Sequence, residues 1–248
     1  MRFIAIIGDL TLGSINEEVV YDYITQLEAT KVSTATVNRY LAALKTVLRF
    51  KKQPFDYIKL GREPKGRIRV ITKEEETTLL NIIRGATPNV RNHFYAETAD
   101  LIEVLIDTGM RLSEGIGIKY EDVNFETNLI SIWVNKGEKP RSVPMTNRVR
   151  RILERRKEGK NDGPFTITRH QAGHAWNWAR KKMGMDKDKE FIMHALRHTC
   201  ASRLVNKGVD LYVVKEYLGH STIQVTERYA HLSPDKLAHA AVILEEYQ

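Results

Sequence analysis

A single cysteine, Cys200, stands in 248 residues, so no intrachain disulfide can staple this chain. That usage fits a reducing compartment. Long apolar runs are missing as well. The opening "FIAII" is too short for the core of a secretory signal, and no run reaches membrane-spanning length. Internal repeats and low-complexity tracts are lacking, which sets aside solenoid arrays and compositional disorder. The expectation is a soluble cytoplasmic protein without a membrane partner.

What is present is a core-forming composition, 42% hydrophobic and 28% charged. Its 39 basic and 31 acidic residues leave a net charge of +8. That excess favours a polyanion such as nucleic acid, or an anionic surface, as partner. The length suits one large domain, or a small one joined to a larger.

The first sixty residues read as helices. "SINEEVVYDYITQL" offers Ser14 or Asn16 as a cap, acidic first-turn residues, and Val20, Ile24 and Leu27 at helical spacing. In "STATVNRYLAALKTVLRFKK", Val37, Leu41, Leu44 and Leu48 form an apolar stripe. Asn38, Arg39, Lys45, Arg49 and Lys52 are assigned to the other side, as a solvated face or as contacts to phosphates. "LGREPKGRIRV" breaks the pattern with Gly61, Pro64 and Gly66 among basic residues, of which Arg67 and Arg69 join the phosphate-contact candidates. The expected organisation is a helical domain over 1–62, a basic linker over 63–70, and a larger domain over 71–248 whose tail is 233–248.

In the larger domain Thr72 and Glu75 make a capping box. "DLIEVLIDTG" ends at Gly109, which leaves Arg111 in the turn before the next helix. "LISIWVNKGEKPRSVPM" changes period to two: Ile130, Ile132 and Val134 alternate, and a hairpin carries Lys136 at or beside its tip, with Lys139 in the same turn. The remainder returns to helix. In "HALRHTCASRL", His194 and Arg197 share one face, with Leu196, Cys200 and Leu204 opposite. His194 and His198 have the spacing of a metal pair, but no acidic partner or second ligand cluster accompanies them. In "LGHSTIQVTERYAHL", Gly219 ends a helix and pins His220 at a corner, while Ser221 and Gln224 suggest a capping box. Tyr229 is then placed about two turns into the new helix, in a stripe with Val225 and Leu232. Locally it reads as a core aromatic.

Taken together these residues allow a different reading. A phenol is a poor nucleophile unless a base assists and cations stabilise developing charge. Arginine forks fit the two non-bridging oxygens of a phosphodiester. A hairpin lysine can protonate a leaving alkoxide. Such a set suffices for phosphoryl transfer with no metal or other cofactor.

The segments "TGMRLSEGIGIKYEDV", "VNKGEKPRSVP", "HALRHTCASRL" and "LGHSTIQVTERYAHL" resemble, in order, the signature segments of the tyrosine recombinases, the phage integrase family. The resemblance spans roughly 71–232. It implies a mainly α fold with a small β-hairpin or sheet: a helical core-binding domain followed by a mixed α/β catalytic domain. It implies that Arg111, Lys136, His194, Arg197, His220 and Tyr229 are catalytic. Tyr229 would attack the scissile phosphate of double-stranded DNA to give a 3′-phosphotyrosyl link and a free 5′-hydroxyl. Arg111 and Arg197 would hold the non-bridging oxygens, Lys136 protonate the leaving oxygen, His194 act as base, and His220 hydrogen-bond the phosphate. One phosphoester replaces another, so no ATP is needed. The first domain resembles the family's core-binding domain more loosely; its leading helix is missing or reduced to "MRFIAIIGDL", and the sequence leaves open whether this is a shortened chain or a simpler member without an arm-binding domain. The tail would either pack on its own domain or dock on a neighbour within a DNA-bound tetramer. Relaxation of supercoils in the manner of a type IB topoisomerase, and a non-catalytic DNA-binding regulator, remain the alternatives.

Overall fold

The computed structural model describes residues 2–63, 66, 68–86, 93–133, 140–159 and 161–230. It is mainly helical with one small antiparallel sheet. The chain divides into two compact units, Met1–Gly66 and Arg67–Gln248. Among the described residues no helix is long and apolar enough to cross a membrane.

In the first unit a short helix α1 (Arg2–Ile7) precedes α2 (Glu17–Ala29) and α3 (Thr34–Phe50). Asn16 caps α2 by accepting the Val19 N–H at 3.0 Å, and Ser33 caps α3 by accepting that of Thr36. Val37, Leu41, Leu44 and Leu48 fall on one side of α3 and close on Val20, Tyr23 and Leu27 of α2, with Ile15 and Ile58. Each such aliphatic side chain contributes about 1.5–3 kcal/mol when removed from water.

The basic face of α3 needs correcting. Asn38 is only 6% exposed. Its Nδ2 donates to Gly61 O and to Glu63 Oε1, and its Oδ1 accepts the Gly61 N–H, each at 2.8 Å. Three residues before Leu41, it borders the apolar stripe, and a buried amide needs its bonds met within the fold. Asn38 therefore ties down the chain after α3, and leaves the set of DNA contacts. Lys45 donates to Ile58 O at 3.3 Å, and both Lys45 and Arg49 lie over the Phe55 ring, at 5.5 and 5.0 Å. Arg39, Arg49 and Lys52 are exposed.

The second unit runs α4 (Lys73–Arg84), α5 (Tyr95–Thr108), α6 (Leu112–Ile116), β1 (Val123–Asn124), β2 (Leu129–Ile132), β3 (Arg141–Pro144), α7 (Asn147–Lys157), α8 (Arg169–Lys182), α9 (His194–Asn206), α10 (Leu211–Leu218) and α11 (Gln224–Glu227). Helix α5 is buried on all sides and packs on α4, α7, α8 and α9. It nevertheless carries acids, which arginines from its neighbours neutralise. Arg155 meets Asp100 at 2.7 Å, Arg84 meets Glu103, and Arg148 meets Asp107. Glu76 of α4 takes Arg148 and Arg203 at 2.7 Å each. Burial alone would raise the Glu76 carboxyl, but these two guanidiniums outweigh it and hold it down at about 2.

Arg69 is likewise occupied within the fold. Its Nε donates to Asp188 at 2.9 Å, its Nη2 to Glu75 at 2.5 Å, and its guanidinium stacks over Phe191. That side chain joins the start of α4 to the segment before α9 and is not a free phosphate contact. Glu75 also completes the capping box with Thr72. Arg67, Lys136 and the tail over 233–248 lie outside the described residues.

The sheet has the order β1-β2-β3, all antiparallel, with Ile130 opposite Val143 and Ile132 opposite Arg141. Ile130, Ile132 and Val143 face the core. Side chains two apart share a face. Arg141, two before Val143, is therefore sent inward too.

Candidate active site

Helix α5 ends because Gly109 adopts a left-handed φ of +62°. Arg111 follows as the extended residue that opens α6. Glu114 reaches back to accept the Arg111 N–H at 2.8 Å and its Nη1 at 2.9 Å. The same carboxylate accepts Nη1 and Nη2 of Arg141 at 3.1 and 2.6 Å. One carboxylate thus orients two guanidiniums. Burial pushes Glu114 up, but the bonds from Arg141 and Arg111 prevail and keep it below the usual carboxylate range. The Arg141 side chain is 7% exposed, and its Nε is buried with no hydrogen-bond partner among the described residues.

On α9, Arg197 is 3% exposed. Its Nη1 donates to Gly109 O and its Nη2 to Leu218 O, both at 2.7 Å, which ties the end of α5 to the end of α10. Burial, then the charges of Arg111 and Arg141, bring its guanidinium down to about 10, so it stays a cation at neutral pH. Arg111, His194, Arg197 and Arg169 share the wall of one cleft of about 370 Å³. His194 is exposed there. Partial desolvation, then Arg197, Arg111 and Arg228, lower its imidazole.

Gly109 is a point of close approach. A Cβ there would lie 2.4 Å from Leu218 Cδ2 and 3.2 Å from Cys200 Sγ. Gly109→Ala is expected to cost about 2–5 kcal/mol, as overpacking adds to left-handed strain. It should also shift the carbonyl that Arg197 holds. Denaturant titration of the variant measures this, and a midpoint equal to wild type would contradict it.

Helix α10 stops at Gly219, at φ +70°. Its missing side chain leaves room for Arg141, three of whose atoms would lie 2.7–2.9 Å from a Cβ there. His220 follows, with Nδ1 2.8 Å from Thr226 Oγ1. Burial, then Arg197, Arg111 and Arg141, take His220 down to about 3.

The stretch after His220 differs from its expected form. No capping box joins Ser221 to Gln224; α11 is a single turn opened by Ile223, without a side-chain cap. Tyr229 lies beyond its end, not two turns inside it. Val225 is 42% exposed whereas Tyr229 is 1% exposed, so they share no stripe. The inward pair is Thr226 and Tyr229, three apart, and one turn without caps has little stability beyond such anchors. The Tyr229 hydroxyl lies 2.5 Å from His198 Nδ1, and the His198 ring meets that of His194 edge-on at 4.7 Å. Burial raises the phenol. Burial, then His194, Arg228 and Arg197, lower His198 to about 4.

These shifts set an acid limit. In the unfolded chain His198 and His220 titrate near 6.5; folded, they stay neutral down to about 4 and about 3. Inside those windows only the unfolded chain binds the protons, so stability is lost as pH falls. Each contributes up to about 1.4 kcal/mol per pH unit there. Below about 4.5, Glu76 adds a further loss, since its folded value is about 2. The melting temperature should fall from pH 6.5 to 4, and less steeply in His220→Asn. A flat wild-type profile would contradict this.

The structure brings Arg111, His194 and Arg197 into one cleft and sets His220 beside their charges. It places the Tyr229 phenol against His198 instead of His194. Glu114, Arg141 and Thr226 were missed from the sequence, and His198 was weighed there only as half of a metal pair. The available signals were the position of Glu114 three after Arg111, the inward register of Arg141, and the helical spacing of His198 from His194. Among the described residues no group of His, Cys, Asp and Glu side chains could hold a metal.

Residues 69–236 match the phage integrase family. The chain is 29% identical over 225 residues to tyrosine recombinase XerD of Lacticaseibacillus casei, covering 82% of this chain and 74% of that one. It is 24% identical to tyrosine recombinase XerA of Pyrococcus furiosus, covering 88% and 77%. Its fold is similar to that of the Tn1549 transposon integrase in complex with transposon right-end DNA, with a TM-score of 0.77 and 18% identity over 97% of this chain and 90% of that one. It is also similar to the XerH site-specific recombinase bound to difH in a pre-cleavage complex, with a TM-score of 0.69 and 24% identity over 93% and 71%.

Proposed function

Because this chain belongs to the phage integrase family and is a tyrosine recombinase, we propose that it cuts and rejoins double-stranded DNA through Tyr229, using the cleft between α6 and α9 as the phosphate site. The observation that carries this is the shared wall of Arg111, His194 and Arg197, with a phenol held on the same helix face one turn away. Arg111, aimed by Glu114, and Arg197 hold the two non-bridging oxygens of the scissile phosphate. A guanidinium has five N–H groups, and Arg197 directs one each at Gly109 and Leu218, so three remain for the substrate. The Thr226 hydroxyl can donate to His220 Nδ1, which leaves Nε2–H to donate to a phosphate oxygen. His194, exposed on the cleft wall, acts as base toward the incoming phenol, and Lys136 protonates the departing 5′-oxygen.

The Oη–H bond breaks and an Oη–P bond forms as the P–O5′ bond breaks. The product is a 3′-phosphotyrosyl link, which a 5′-hydroxyl of a partner strand reverses. Phosphoester replaces phosphoester, so no ATP is required, and the two guanidiniums do the charge work that a metal ion does elsewhere. Exposed Arg39, Arg49 and Lys52 supply phosphate contacts from the first unit. The protein acts in the cytoplasm, assembled as a homotetramer on DNA through the tail over 233–248. The relatives are recombinases and integrases, which favours strand exchange over supercoil relaxation or simple regulation.

The test uses nicked duplexes drawn from sequences the protein enriches out of a random pool, together with supercoiled plasmid. Covalent adduct and recombinant joints are expected. Relaxed plasmid alone would indicate a topoisomerase, and binding without adduct a regulator.

A further inference from the structure

Tyr229 is 1% exposed and takes no part in the cleft wall that holds Arg111, His194 and Arg197. Among the described residues the hydrogen-bond partner of its hydroxyl is His198 Nδ1, at 2.5 Å. His198 lies four residues after His194, one turn along the same face of α9, and the two rings touch. The segment that carries the tyrosine is lightly held. From 221 to 230 only Thr226 and Tyr229 are buried, and each meets a histidine: Thr226 bonds His220, and Tyr229 bonds His198.

We propose that His198 is the positioning residue of the nucleophile: its Nδ1 accepts the phenol's hydrogen bond and holds Tyr229, with its proton, one helical turn behind the cleft in the DNA-free protein. The tautomer follows from satisfiability. A proton on Nδ1 would make the phenol oxygen the acceptor and leave the phenol's own hydrogen buried without a described partner, which is costly. A proton on Nε2 lets the phenol donate, and the phenol hydrogen and Nδ1 satisfy each other. The neutral state of the half-buried His198 ring agrees with this. Moving from His198 to His194 then takes the hydroxyl along one helix face from its resting place into the cleft. No bond is made or broken in that step. The proposal rests on Tyr229 being the nucleophile, and it adds a residue that decides when the nucleophile is available.

The test is made on the full chain without DNA. Tetranitromethane modifies accessible phenols, and mass spectrometry of the peptides reads each tyrosine separately. In wild type, Tyr229 should react far more slowly than exposed Tyr21 and Tyr212, which are 69% and 62% exposed. His198→Leu keeps bulk but removes the acceptor, and should speed nitration of Tyr229 roughly fivefold or more, the effect of one lost buried hydrogen bond. His198→Asn, whose amide oxygen can take the place of Nδ1, should restore protection; a purely space-filling role would not be rescued in this way. Unchanged protection of Tyr229 in a folded His198→Leu protein, shown by equally slow nitration of the buried Tyr95, overturns the proposal. Should that variant fail to fold, histidine labelled with ¹⁵N in wild type decides: His198 Nδ1 must resonate as an unprotonated acceptor, and a protonated Nδ1 overturns the assignment. Neither readout involves cleavage, so failure here is distinct from failure of the recombinase reading, which the adduct assay decides.

Discussion

Tyr229→Phe is expected to abolish the covalent protein–DNA adduct while leaving DNA binding within about twofold of wild type. The ring that fills the pocket between α9 and α10 is retained, so the core around Ala201, Val205, Val214 and Leu218 is undisturbed. What disappears is one oxygen. Its hydrogen bond to His198 contributes about 1 kcal/mol to stability, little against the whole. Its role as nucleophile, in contrast, has no substitute in a phenylalanine. Adduct formation is read on a denaturing gel with a labelled nicked duplex, and binding by retardation of the same duplex. An adduct that persists in this variant would move the nucleophile elsewhere in the chain.

Arg111→Lys should lower single-turnover cleavage by about 10²–10³-fold, with folding intact. A preorganised donor aimed at developing charge carries that order of effect. Lysine keeps the charge and can still reach Glu114, and the Glu114 carboxylate retains the backbone N–H of residue 111 and both Nη groups of Arg141. The α6 turn therefore survives. The fork that would span two phosphate oxygens is lost, and a point charge does not replace it. A thermal melt beside the cleavage assay separates the two effects. Near-normal cleavage would remove Arg111 from the phosphate site, and a collapsed melt would make it a structural residue instead.

Several parts of this molecule were legible because they obey short-range rules. The capping box of Thr72 and Glu75, the stops at Gly109 and Gly219, the stripe of Val37, Leu41, Leu44 and Leu48, and the alternation of Ile130 and Ile132 depend on neighbours within one or two turns or on strand period. Helical spacing also put His194 and Arg197 on one face. Where the sequence misled, a distant partner decided. Asn38 looked solvent-facing until Gly61 and Glu63 claimed its amide. Arg69 looked like a linker cation until Asp188, 119 positions away, took its Nε. The Ser221 and Gln224 pattern promised a cap, yet Thr226 bonds His220 and Tyr229 bonds His198.

The residue types of the chemistry, the order of the helices and the turns that present Arg111 and His220 were therefore determined by the sequence alone, since each follows from local backbone geometry. Tertiary structure alone decided that Glu114 also binds Arg141, that Arg197 joins Gly109 to Leu218, and that the phenol rests on His198. Those pairings span tens of residues. Burial makes an unmatched polar group costly, so the packed core selects a partner that no local pattern specifies.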